Sequence, residues 1–179
     1  MKSESDILTN INIEIKARLS DRNRIRDILI SSKAVFKGVD HQIDTYFKVK
    51  NGRLKLREGN IENHLIYYSR GNKSGPKQSN VILYKPNPES NLKDVLTNAL
   101  ETLVVIDKKR EIYFISNVKF HLDDVNGLGT FVEIEAIDLD GSIGKEKLFV
   151  QCNYYSNLFQ IKNEDLVAES YSDLLLAKN

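Results

Sequence analysis

Ile11-Asn12-Ile13-Glu14-Ile15-Lys16-Ala17-Arg18 alternates apolar and polar residues without a break, and Phe131-Val132-Glu133-Ile134-Glu135-Ala136 repeats the pattern far downstream. Successive side chains of a strand point to opposite faces, so Ile11, Ile13, Ile15 and Ala17 share one side while Asn12, Glu14, Lys16 and Arg18 share the other. Glu133 and Glu135 likewise share a face. Carboxylates two apart on a strand can converge on one hard cation, because oxygen ligands suit magnesium or manganese. A half-buried strand with a solvated polar side is the ordinary source of such alternation. Its recurrence around the chain argues for more.

Outward from these two stretches the pattern predicts eight strands, near residues 11–18, 41–49, 53–59, 64–70, 80–85, 104–115, 117–124 and 130–138. Asn51-Gly52 is a hairpin signal between two of them, and Asn126-Gly127-Leu128-Gly129 marks another turn, so consecutive strands are expected to run antiparallel. The segment 70–80, with two glycines, Pro76 and three basic residues, reads as a mobile loop. Three helices are expected. Ser20 as N-cap with Asp21 in the first turn would open one carrying Ile25, Ile28 and Leu29. Leu92, Val95, Leu96, Ala99 and Leu100 have helical spacing, and residues 142–157, continued to Phe159, place Leu148, Cys152 and Tyr155 in register. All three are expected as outer supports.

The polar faces then compare across strands. Lys55 and Arg57 alternate with Leu54 and Leu56, Lys108 and Arg110 fall two apart, and Lys119, His121 and Asp123 alternate with Val118, Phe120 and Leu122. Arg70 and Lys85 sit near the ends of two more strands. If these faces point into a closed barrel, the lumen is lined by charge and must hold water, ions or a charged ligand, because unpaired charge is not tolerated dry. Basic Lys16, Arg18, Lys55, Arg57, Arg70, Lys85, Lys108 and Arg110 outnumber acidic Glu14, Asp123, Glu133 and Glu135 by about four on this alternation. A fully ionised triphosphate carries about four negative charges, and a divalent cation on the carboxylates would neutralise phosphoryl oxygens.

Composition sets wider bounds. A chain of 179 residues fits one domain, taken as 1–179, with enough apolar content for a core. A net charge of +1 gives no overall attraction to nucleic acid or membrane, and neither is expected as a partner. The lone Cys152 forms no intrachain disulfide and is read as packing, Met1-Lys2-Ser3-Glu4-Ser5-Asp6 has no apolar signal core, and no run reaches membrane-spanning length. A reducing, cytoplasmic setting is the expectation. Closing a barrel removes edge pairing, so a homodimer would form through the helices. No Walker-type loop, zinc cysteine cluster or serine-histidine triad is present.

The chain resembles the CYTH family, which contains class IV adenylyl cyclases and thiamine triphosphatases among the triphosphate tunnel metalloenzymes. The similarity runs from Asn12-Ile13-Glu14-Ile15-Lys16-Ala17-Arg18 through Asp44-Thr45-Tyr46-Phe47, Gly52-Arg53-Leu54-Lys55-Leu56-Arg57-Glu58, Leu65-Ile66-Tyr67-Tyr68, Gly75-Pro76-Lys77 and Lys108-Lys109-Arg110. It ends in the block from His121-Leu122-Asp123-Asp124 through Gly127-Leu128-Gly129 to Glu133-Ile134-Glu135. The order and spacing most resemble the class IV adenylyl-cyclase-like branch.

The resemblance implies an α+β fold, a closed eight-stranded antiparallel β-barrel with flanking helices. It also implies Mg2+ or Mn2+ as cofactor and a triphosphate substrate such as ATP, tripolyphosphate or thiamine triphosphate. By position, Glu14, Asp123, Glu133 and Glu135 look like the metal set and, with Lys16, the catalytic group. Lys16, Lys55, Arg57, Lys108 and Arg110 look like phosphate clamps, to which the alternation adds Arg18, Arg70 and Lys85. The implied reaction is cyclisation of ATP with release of pyrophosphate, or hydrolysis of an inorganic or thiamine triphosphate. Two departures stand out. Asn12 occupies the first acidic position of the family's Glu-x-Glu-x-Lys signature, and an amide oxygen ligates a cation without adding charge, so weaker metal binding or a binding module of low activity is the alternative. Tyr68 stands where cyclase-like relatives often carry lysine.

Overall fold

Residues 10–87 and 89–178 are described by the computed structural model of the protein. The strands are β1 (Asn10–Arg18), β2 (Val35–Phe47), β3 (Arg53–Gly59), β4 (His64–Arg70), β5 (Lys77–Tyr84), β6 (Thr102–Ile115), β7 (Val118–Val125) and β8 (Gly129–Asp138). The helices are α1 (Arg22–Ser31), α2 (Leu92–Ala99), α3 (Lys145–Leu158) and α4 (Tyr171–Leu176). The strands close into one antiparallel barrel in the order β1, β5, β4, β3, β2, β6, β7, β8. Closure leaves no free sheet edge.

The alternating stretches that predict the fold lie side by side. β1 and β8 pair with Glu14 opposite Glu135 and Lys16 opposite Glu133, so both charged faces enter the lumen together. The apolar faces turn outward. Ile13, Ile15 and Ala17 of β1, Phe120 and Leu122 of β7 and Ile134 of β8 form a buried cluster with Ile25 and Leu29 of α1 and Leu148 and Cys152 of α3. The main apolar core thus lies between barrel wall and helices, outside the lumen. Fully burying each such aliphatic side chain contributes roughly 1.5–3 kcal/mol.

Several local expectations shift. Asp21, not Ser20, caps α1, its side chain accepting from Arg24 N at 3.0 Å. β2 starts at Val35, six residues earlier than the pattern indicates, because a register shift between Phe36 and Gly38 breaks the alternation while pairing to β6 continues. Gly38, at φ 132°, supplies the backbone conformation needed there. Lys77 to Asn80 belong to β5 rather than to a loop, since they pair with β1. α2 forms where its spacing predicts but buries no residue. α4 has no counterpart in the sequence reading; its Ser170 cap and Asp173 form a reciprocal capping box. No helix among the described residues is long and apolar enough to cross a membrane.

Leu29→Ala, in the α1 contact with the barrel wall, is expected to lower unfolding free energy by about 2–5 kcal/mol, read from the urea midpoint at unchanged slope.

Candidate functional site

The lumen contains a cavity of about 260 Å³. A single water needs only roughly 10–15 Å³ by this measure, so the interior is wet. Lys16, Lys55, Arg57, Arg70, Arg110 and Lys119 line it, against Glu14, Glu62, Glu133 and Glu135. Six cations face four carboxylates, an excess of two. Behind the lining, Lys77 and Lys108 are set against Asp40, Asp44 and Asp123, so the excess of two belongs to the lining residues themselves.

Asp44 is the anchor of one wall. On β2 it is 1% exposed, and its oxygens accept from Arg57 Nε at 2.8 Å and Nη2 at 2.9 Å, Lys55 Nζ at 2.9 Å and Lys108 Nζ at 2.7 Å. Burial works to raise its pKa, but Arg57, Lys108 and Lys55 overcome that and hold the carboxyl well below its usual range. Lys108 is also shifted downward, which for an amine disfavours the charged form. Burial, with Arg57, Arg110 and Lys55 nearby, outweighs Asp44 and brings its amine down to about 7.

Glu133 is the second anchor, bound by Arg110 Nη2 at 2.7 Å, His121 Nδ1 at 3.2 Å and Lys16 Nζ at 3.4 Å. Burial opposes its ionisation, and Arg110 and Lys16 reverse that and keep it ionised. The same surroundings act on His121. Burial, Arg110 and Lys119 lower its pKa, so the imidazole is neutral at pH 7. Glu14 pairs with Arg70, and Glu135 accepts from Asn12 Nδ2 at 2.6 Å.

One end of the lumen meets the C-terminal segment. Val167 N donates to Lys16 O at 2.9 Å, Lys16 Nζ lies 4.0 Å from the Tyr171 ring centroid, and Tyr171 Oη donates to Asp123 at 2.7 Å. Lys77 Nζ donates to Val167 O at 3.2 Å and Ala168 O at 3.0 Å. Burial first, then Arg70 and Lys16, lower its pKa to about 7.

The predicted residues therefore divide. Glu14, Lys16, Lys55, Arg57, Arg70, Arg110, Glu133 and Glu135 meet in one cavity. Arg18 does not, because β1 carries it past the end of the lumen to an exposed position beside Leu128. Lys85 is also exposed, one residue beyond the end of β5. Lys108 is buried behind the lining on Asp44. Asp123 has no free face either: Arg110 Nε at 2.7 Å and Tyr171 occupy its oxygens, so it orients Arg110 and does not reach the cavity as a metal ligand. The expected excess of four basic charges falls to two.

Two participants, Glu62 and Tyr171, escape the sequence reading of the site, and two more are placed by it without their roles. Glu62 comes from a turn where no periodicity applies, and Tyr171 from the unpredicted α4. Asp44 and Lys119 lie on alternating faces and were legible as lumen candidates, but nothing local marks one as a hub or the other as a lining cation.

Oxygen donors suited to a hard cation gather where β1 meets β8. Asn12 Oδ1 is buried with no partner among the described residues, and Asn12 lies two residues before Glu14 on β1 with its Nδ2 on Glu135, the residue opposite Glu14. No three His, Cys, Asp or Glu side chains among the described residues converge on one point. Magnesium requires only one or two carboxylates when phosphate oxygens complete its shell, so Glu14 and Glu135, with Glu133 beside them and Asn12 Oδ1 as a neutral donor, fit it.

The CYTH domain family model matches residues 10–171. The chain belongs to the CYTH family. Among its relatives is a protein of Methanocaldococcus jannaschii named "Putative adenylate cyclase", 24% identical over an alignment of 180 positions, gaps included, that spans 92% of this chain and 98% of that one. A conserved hypothetical protein from Pyrococcus furiosus superposes with a TM-score of 0.74 at 22% identity, over 91% of this chain and 99% of its own. A Hippeastrum protein, described as an adenylyl cyclase candidate with a dominant triphosphatase activity, superposes with a TM-score of 0.57 at 14% identity, over 93% and 95%. These structures share the CYTH barrel.

Asp44→Asn is expected to destabilise the protein by about 3–5 kcal/mol in urea titration, because three cations lose their common counter-charge inside the barrel.

Proposed function

We propose that this CYTH protein binds a triphosphate in its lumen and catalyses metal-dependent transfer at it, in the manner of a class IV adenylyl cyclase, converting ATP to cyclic AMP and pyrophosphate in the cytoplasm. The observation that carries this reading is the lining itself: six cations and four carboxylates in one wet cavity, with an excess of two positive charges. A triphosphate of about −4 that carries one divalent cation has about −2, which balances that excess. Arg70 supports it further. Its guanidinium is 5% exposed, yet Nε has no partner among the described residues, leaving a buried donor for a phosphate oxygen.

Magnesium or manganese, held by Glu14 and Glu135 beside Glu133, would supply charge neutralisation at the phosphoryl oxygens. The protein's own groups bind and align. Lys16, Lys55 and Arg70 contact the polyphosphate, Arg110 is held in place by Asp123 and Glu133, and Tyr171 closes off the end at which Lys16 sits. Fixed charges of this kind need no reorganisation during reaction, which is the main source of rate enhancement in phosphate chemistry.

Hydrolysis of tripolyphosphate or thiamine triphosphate is the second reading, since the wet lumen admits water as nucleophile. Asn12 favours a third, a binding module with little turnover. Incubation with Mg2+ or Mn2+ and each of ATP, thiamine triphosphate and tripolyphosphate separates them: cyclic AMP from ATP is expected, orthophosphate release marks a hydrolase, and binding without any product marks a module. Glu135→Gln is expected to cut turnover by about 100-fold or more while metal-free tripolyphosphate affinity holds or rises, because a metal ligand is lost and the cations remain. Full activity in that variant removes Glu135 from the metal site. Affinity also carries a pH signature. Lys77 and Lys108 are protonated below about 7 and lose their charge above it, so the surroundings of the lumen become less positive and tripolyphosphate Kd is expected to rise by about tenfold between pH 7 and 9.

A further inference from the structure

Among the described residues, Glu62 is the one lining carboxylate that does not come from a strand. It belongs to the turn between β3 and β4, at the end of the lumen away from Tyr171, and its oxygens take Lys119 Nζ, Arg57 Nη1 at 3.0 Å and Gln42 Nε2 at 3.2 Å. With Nε and Nη2 on Asp44, this contact leaves every nitrogen of the Arg57 guanidinium engaged.

The turn is held rigidly. Asp40, fully buried, accepts from Ile61 N at 2.8 Å and Glu62 N at 3.0 Å, and Asn63 exchanges hydrogen bonds with the backbone of Gly59 in both directions. A Cβ on Gly59 would come within 2.7 Å of Asp40 Oδ1, so glycine is what lets this clasp close. Swinging the Glu62 carboxylate out would leave Lys119 and part of Arg57 without a counter-charge inside the barrel. A fixed anion therefore occupies the cations at this end, while Lys16 and Arg70 toward the other end keep donor capacity.

We propose that Glu62 is a positioning residue that sets the direction and length of the bound phosphate chain: it fills the Arg57 and Lys119 site as a built-in anion, so that phosphate is confined to the end lined by Lys16, Lys55 and Arg70. This rests on triphosphate binding in the lumen. A chain with a fourth phosphate must place it against the Glu62 carboxylate, where like charges at close range oppose it.

Calorimetric titration of the full chain with inorganic tripolyphosphate and tetrapolyphosphate, in EDTA, tests this without reference to turnover. The unaltered protein is expected to bind tripolyphosphate at least as tightly as tetrapolyphosphate, although the longer anion carries more charge. In Glu62→Gln, which keeps the shape and removes the charge, tetrapolyphosphate is expected to gain about tenfold more affinity than tripolyphosphate. A loss of negative charge acting only at long range would strengthen both anions alike, and an equal gain overturns the proposal. Tetrapolyphosphate binding more tightly than tripolyphosphate in the unaltered protein also overturns it, even if the variant fails to fold. Triphosphate binding with no length preference in either protein defeats the role of Glu62 alone. Absence of binding by the unaltered protein defeats both this role and the triphosphate reading.

Discussion

Charge inside a closed barrel must be matched, group by group, or the barrel does not form. Asp44 shows the constraint most directly: one carboxylate, almost fully buried, is the common counter-ion of Lys55, Arg57 and Lys108. Glu133 plays the corresponding part for Lys16 and Arg110. Because the inward faces are committed to ions, they contribute little apolar packing. The main core moves outside the wall, where the opposite faces of β1, β7 and β8 meet α1 and α3.

The same matching shapes what the lumen can take up. Six cations against four carboxylates leave a small surplus, suited to an anion that brings part of its own neutralisation. Most donors are already engaged, so a ligand must exchange with existing ion pairs or use atoms left without partners, such as Arg70 Nε and Asn12 Oδ1. The two ends differ in kind. One meets the C-terminal segment through Tyr171 and the Val167 and Ala168 carbonyls; the other carries a carboxylate fixed by a backbone clasp on Asp40. That difference gives the cavity a direction.

Much of the barrel was legible. Alternation located all eight strands, and Asn51-Gly52 and the turn at 126–129 marked two of their connections. It failed where the period breaks: at the Phe36/Gly38 register shift in β2, and at Lys77, whose strand the nearby glycines and proline disguise as loop. Within the site, alternation identified eight lining residues but erred at strand ends. Arg18 and Lys85 keep the right parity and lie too far along the axis. Asp123 has the right parity and the right depth, yet its oxygens are taken by Arg110 and Tyr171. Glu62, Tyr171 and the Asp40 clasp depend on a turn and a short helix with no periodic signature.

From its sequence alone, the chain determines which side chains share a face, because period two is a local property of an extended backbone and survives any tertiary arrangement. It also determines that those faces carry opposite charges in unequal number. Tertiary structure alone decides which charges meet, since that depends on strand register and on how far the closing strands are staggered. The same register that sets Glu14 against Glu135 and Lys16 against Glu133 leaves Arg18 outside the lumen. A turn between β3 and β4 brings Glu62 to Lys119, 57 residues away in the chain, and no local pattern records that encounter.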